Sequence, residues 1–331
     1  MALKISHNVW WRKAYQAAGF RKGYNFPLFI IFAGSMLGFS LARISYLNIG
    51  GNASSSYKKG AAPGEWYWYR EGLARVGISI HLGCIIPAGV LMVWQFVPVI
   101  RHKFILLHRI NGYIVIVLVM ISNTGAFLII RRSFGGTLPT QAAMGLLIIL
   151  STISIAMAYY NIKRLQIEQH RAWMLRAMFY LGVIITTRII MVIAAQVSTA
   201  VGKYYVPMIC DEIVFVQDSL TQNNTMYPQC SIANMSVDGM IAVAANFGSD
   251  RKEQLQASLE LNFGMAAWLS IFLHTIGVEI YLNLTPAEGE RLRRVSYAKQ
   301  LEAGMRNPGS AGLTVDRWGD ADEWIVPAED T

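Results

Sequence analysis

Long apolar runs, separated by short polar and basic segments, organise this chain. A helix that crosses a bilayer needs about 20 mostly apolar residues, because each residue advances only about 1.5 Å. Six stretches meet that length: 27–48, 76–100, 110–130, 141–160, 177–200 and 262–284. They predict an all-α fold, a polytopic bundle of six transmembrane helices over 27–284. Around it lie an N-terminal segment (1–26), one long external loop (201–261) and a tail (285–331). The first run carries no small-residue cleavage signal and reads as a retained helix rather than a signal peptide. Within the long loop, the apolar run Val237 to Phe247 is too short to span. Asp250-Arg-Lys-Glu253 then has the capping-box pattern that opens a helix, so the loop is expected to fold as a lid or cap. The tail begins basic at Arg291, Arg293 and Arg294, passes through Asn307-Pro-Gly-Ser-Ala-Gly and ends acidic. It is expected to be mostly disordered.

Composition agrees with the pattern. The 331 residues are 54% hydrophobic and 15% charged, against about a quarter charged in soluble domains. A membrane protein is expected, and disordered, collagen-like, coiled-coil and small disulfide-scaffold classes are excluded. The net charge of +9 raises the question of nucleic acid, and its distribution answers it. Segments 1–26, 101–109, 161–176 and 285–331 hold 18 Lys and Arg, whereas 49–75, 131–140 and 201–261 hold 9 in the same total length. Basic residues accumulate on the cytoplasmic side. Both termini are therefore expected to be cytoplasmic, in a membrane of the secretory pathway (endoplasmic reticulum or plasma membrane), with the bilayer rather than nucleic acid as the partner. Sequons at Asn52, Asn223 and Asn234 fall on the side read as external, while the one at Asn283 lies at a cytoplasmic helix end before Pro286 and is discounted. Cys210 and Cys230 share the external loop, where a disulfide can persist, and Cys84 lies inside the second run.

Ionisable residues within spans are costly and point to function. Arg43, His81 and Asn123 sit five to seven residues from the external ends, and Arg188 and His274 lie near the midplane. This order predicts a polar pocket opening externally, with Arg43 and Asn123 binding ligand and Arg188, His274 and His81 doing chemistry. No carboxylate falls in the external half of any span, so an anionic or polarised ligand is the natural partner of the two arginines. Arg188 would clamp an oxygen and a histidine would move a proton. Gly34, Ser35, Gly38 and Ser40 read as close helix packing. No glycine-rich phosphate loop, nucleophile elbow or zinc motif occurs, so neither a metal nor a cofactor is expected. Haem b is the alternative. His81 and His274 differ in depth by about 9 Å, which makes them a poor axial pair. His108 and His170 match in depth at the cytoplasmic boundary.

The segments His108-Arg-Ile-Asn-Gly-Tyr and His170-Arg-Ala-Trp-Met-Leu-Arg176, the latter followed by Thr187-Arg188, resemble a family of predicted polytopic membrane proteins of bacteria and fungi known as a domain of unknown function (2306-type). The match covers about residues 76–200. The resemblance implies that His108, His170, Arg171, Trp173, Met174, Arg176 and Arg188 belong to a shared framework, and it brings no activity with it. The functional expectation is a membrane-embedded enzyme or accessory enzyme with isomerase- or cyclase-like acid–base chemistry on a lipophilic small molecule. A b-type haem electron carrier and a small-molecule transporter or binder remain as alternatives.

Overall fold

The computed structural model describes residues 9–20, 23–217, 226–230 and 239–326. Six helices have the length and apolarity to cross a membrane: α1 (Asn25–Ala42), α2 (Gly72–Gln95), α3 (Ile105–Ile129, continued by a 3-10 turn to Gly136), α4 (Leu138–Lys163), α5 (Ile167–Val201) and α6 (Lys252–Asn283). Ile31, Phe127, Ile189, Ile193 and Phe272 are exposed on their outer faces, which is the surface that hydrocarbon requires. α5 and α6 each begin about ten residues before the apolar runs did, because their first turns are polar but helical. The chain divides into two compact units, Met1–Gln141 with Arg188–Gly264, and Ala142–Thr187 with Met265–Thr331.

In the first unit, α2 and α3 approach through glycines. A Cβ at Gly77 would lie 2.8 Å from the Ile129 side chain, and one at Gly125 would lie 2.7 Å from the His81 amide nitrogen. Small residues at such crossings let backbones touch where no hydrophobic force drives helices together. Ser40 of α1 is buried and faces Gly89 of α2, but Cβ atoms at Gly34 or Gly38 would meet nothing within 4 Å. The small-residue pattern on α1 is thus a packing face only at its Ser40 end.

Beyond the helices, β1 (Tyr205–Ile209) pairs antiparallel with β2 (Met240–Ala244), with Tyr205 opposite Ala244 and Ile209 opposite Met240. The short apolar run thus contributes a strand, and Val206, Met208, Val243 and Ala245 join a small core with Ile213 and Tyr227. The Cys210 and Cys230 sulfurs are 2.08 Å apart, at disulfide distance. A second apolar knot joins Tyr57 and Tyr69, from the segment between α1 and α2, to Ile78 of α2 and Ile129 of α3, with Trp66 and Trp68 packed on it.

The tail departs from expectation. Pro286 opens α7 (Pro286–Glu302), in the second unit, where a proline costs nothing at a helix start. Beyond it the chain runs back onto the α4–α5 turn. Gln300 donates to the Arg164 carbonyl at 2.8 Å and accepts from the Gly309 amide at 2.7 Å, and Asn161 accepts from Leu313 at 2.8 Å. Asn161, Gln166, Ser296 and Gln300 are fully buried. The tail's charge suggested disorder, whereas buried amide side chains matched to backbone groups, together with the Arg293–Asp316 ion pair at 2.6 Å, fold it.

Candidate functional site

In the first unit, charge collects around the segment between α1 and α2. The short helix Glu65–Tyr69 starts after Gly64, whose φ of +86° and contact with the Gln256 side chain leave no room for a Cβ. That start places a Glu65 oxygen 2.9 Å from the Phe134 amide, which donates to it. Phe134 has φ +44°, a left-handed conformation that non-glycine residues seldom adopt. Its amide is held by Glu65, and its buried ring stacks on Phe263 with centroids 4.2 Å apart. The Arg188 guanidinium lies over that pair, 4.2 Å from the Phe134 centroid and 5.6 Å from that of Phe263. An aromatic face attracts a cation there without neutralising it.

Glu65 also accepts a hydrogen bond from Tyr57 and feels the charge of Arg188. Burial pushes its carboxyl up to about 7; the Phe134 amide, Arg188 and Tyr57 oppose the rise and the charge of Glu212 adds to it. Burial also raises the Tyr57 and Tyr69 hydroxyls well above the usual phenol range, so both stay protonated. Arg43, stacked on Tyr46 at 5.4 Å, is near enough for its charge to act on Arg188. Glu65 and Arg188 each keep part of their surface accessible. A buried carboxyl balanced near neutrality within reach of a fixed cation can give and take a proton at physiological pH.

Adjacent to this pair is a second set of polar groups. Glu212 accepts from Trp68 at 2.8 Å and from Gln256 at 2.6 Å, and the same Gln256 nitrogen reaches Glu260 at 2.7 Å. Arg132 covers the Trp68 ring at 3.8 Å, and burial raises the Glu212 carboxyl. Among the described residues no group of three or more His, Cys, Asp or Glu is placed to hold a metal ion.

Of the residues anticipated from sequence, Arg188 and Arg43 come together. The histidines are committed to helix contacts. His81 Nδ1 meets the Ser122 hydroxyl at 2.9 Å, and Asn123 is the next residue of α3. In the second unit, His274 binds the Phe179 carbonyl through Nδ1 at 2.6 Å and Thr186 through Nε2 at 2.8 Å. Both ring nitrogens are engaged, so the imidazole clamps α5 to α6. His108 belongs to the first unit and His170 to the second, where its Nδ1 meets the Ala158 carbonyl at 3.0 Å. Asn52 is exposed, whereas Asn223 and Asn234 lie outside the described residues. Sequence reading missed Glu65, Tyr57 and Glu260, because it searched for acids only inside the apolar runs. The available signal was the string Glu65-Trp-Tyr-Trp-Tyr69, a carboxylate in the most aromatic stretch of the chain.

In the second unit, arginines of the motif His170 to Arg176 tie α5 to α6 and to the turn after it. Arg176 forms a two-pronged ion pair with Glu279, at 2.6 and 3.0 Å, and stacks on Trp173 at 4.7 Å. Arg171 reaches the Thr285 hydroxyl at 3.4 Å. Residues 78–211 match the model of the family described as "Predicted membrane protein (DUF2306)". The matched region holds α3, α4, α5 and Arg188, while Glu65 and Glu260 lie outside it. A curated relative, "Ava biosynthesis cluster protein G" of Aspergillus versicolor, is 21% identical over 87% of this chain and 97% of its own length. No solved structure matches the chain.

Proposed function

We propose that the chain is a membrane-embedded accessory enzyme of a biosynthetic pathway, carrying out isomerisation or cyclisation of a lipophilic small molecule. Glu65 moves the proton and Arg188 holds the oxygen that carries negative charge. The observation that carries the reading is the arrangement around Phe134, whose amide donates to Glu65 at 2.9 Å while its ring, stacked on Phe263, lies under the Arg188 guanidinium at 4.2 Å; burial pushes the Glu65 carboxyl up to about 7. A proton delivered by Glu65 to one carbon of a double bond and later collected from another leaves the carboxyl as it began. No redox partner is required. Tyr57, kept neutral by burial, orients the carboxylate when the proton is away. The name of the fungal relative, a protein of a biosynthesis cluster, supports an accessory role in small-molecule synthesis.

The same reading places the site on the luminal side of a secretory-pathway membrane with both termini in the cytoplasm. The charge asymmetry of the connecting segments, the exposed sequon at Asn52 and the Cys210–Cys230 pairing support this orientation. The functional test is metabolite profiling of the source organism with the gene deleted and then restored. Wild type should restore the missing product, and Glu65→Gln and Arg188→Met should accumulate its precursor although the protein inserts normally. Full restoration by both variants would sink the assignment.

A further inference from the structure

We propose that the outer face of the β1–β2 ribbon is a lipid contact, seated in the interfacial layer of the bilayer beside the end of α5. Residues opposite one another on an antiparallel pair point to the same face of the sheet. Val206 with Val243 and Met208 with Ile241 thus form the inner face, which packs with Ile213, Tyr227 and Ala257. The outer face consists of Tyr205 with Ala244, Pro207 with Ala242 and Ile209 with Met240. All six are apolar apart from one phenol hydroxyl, although Met240 is 69% and Tyr205 60% exposed. A ribbon with water on that side would carry polar residues there.

The chain sets this face next to hydrocarbon. Val197 and Val201 of α5 are 58% and 64% exposed, and β1 begins at Tyr205 after only Gly202, Lys203 and Tyr204. An exposed lysine and tyrosine suit the headgroup level. The far end of β2 is tied back to the span: the Ala245 amide donates to the Tyr204 carbonyl at 2.9 Å, and the Phe247 amide to the Thr199 hydroxyl at 2.8 Å. Thr199 lies inside the apolar run 177–200, so this end of the ribbon stands where hydrocarbon gives way to headgroups. The depth has a limit. Among the described residues the sheet has two strands, and their outer edges carry backbone groups that water and headgroups can satisfy but acyl chains cannot. The ribbon therefore rests in the interface and does not insert. β1 runs directly into the helix Cys210–Gln217, whose Glu212 holds Trp68 and Gln256, so a seated ribbon also fixes the height of that helix over the membrane. The contact does not depend on any chemistry at Glu65.

The test begins with hydroxyl-radical oxidation of the unmodified full-length protein in phosphatidylcholine nanodiscs. In water Met240 would oxidise faster than Met226, which is 48% exposed. Lipid cover should reverse that order, with Met240 at least about fivefold slower, because oxidation of methionine follows its access to solvent. Single-cysteine proteins then identify the cover. Cys84→Ala removes the free thiol, and Ala242→Cys on the outer face and Lys252→Cys at the exposed start of α6 each carry a bimane label. Lipids with a nitroxide near the headgroup should quench the label at position 242 about twofold or more, since an interfacial apolar face sits about 5–10 Å into the headgroup boundary. Nitroxides at the chain end should quench it far less, and iodide should quench only the label at position 252. Oxidation of Met240 in proportion to its exposure, or equal iodide access at both labels, would overturn the proposal. So would a label at position 242 shielded from both quenchers, which would mean that protein covers the face.

Discussion

One polar cluster from each unit shows two ways of holding a buried charge. In the second, Arg176 meets Glu279 through two hydrogen bonds, both His274 ring nitrogens have partners, and Gln300 joins the α4–α5 turn to the tail. In the first, Arg188 rests on aromatic faces and Glu65 is balanced between protonation states. Completed polar networks fix a fold, whereas charges whose demands are met only in part are open to a ligand or a proton.

Substitutions should separate the two kinds. The largest effect falls on turnover: Glu65→Gln should lower product formation by about a hundredfold or more, the usual scale for a lost general acid, while the melting temperature in detergent changes little. Where Glu65 must be protonated to act, turnover should fall as pH rises through about 7, and this dependence should vanish with Glu65→Gln. Next comes Cys210→Ser, which opens a loop of 20 residues and should cost about 3 kcal/mol in the chain-entropy account, read as a lower melting temperature in the absence of reductant. Gln300→Ala should cost about 2 kcal/mol by stranding the buried partners of its amide, and limited proteolysis should then release the tail. The smallest is His274→Ala, about 1 kcal/mol of lost helix clamping, with turnover of the surviving folded protein unchanged. A loss of turnover with His274→Ala as deep as with Glu65→Gln would erase the contrast between the units.

Much of the fold was legible because hydrocarbon imposes a length and a composition that soluble folds do not. All six spans were found, together with the cysteine pair. Helix ends were less legible, since the polar first turns of α5 and α6 carry no hydropathy signal. The tail was misread because its folding depends on Asn161, Gln166 and Gln300 finding backbone partners distant in sequence. Half of the candidate site was visible as Arg43 and Arg188, arginines conspicuous in an apolar setting. Glu65 was not, because an acid in a polar connecting segment is unremarkable until the tertiary fold buries it under Phe134. For His81 and His274 the converse holds: they looked isolated along the chain, and the fold gives each ring hydrogen-bond partners.

The central claim is that Glu65 exchanges its proton near neutrality. Infrared difference titration of the detergent-purified protein, with Glu65→Gln as the reference, isolates the carboxyl stretch of this residue. A midpoint near 7 is expected; a midpoint at the ordinary glutamate value of about 4.3 would contradict the account.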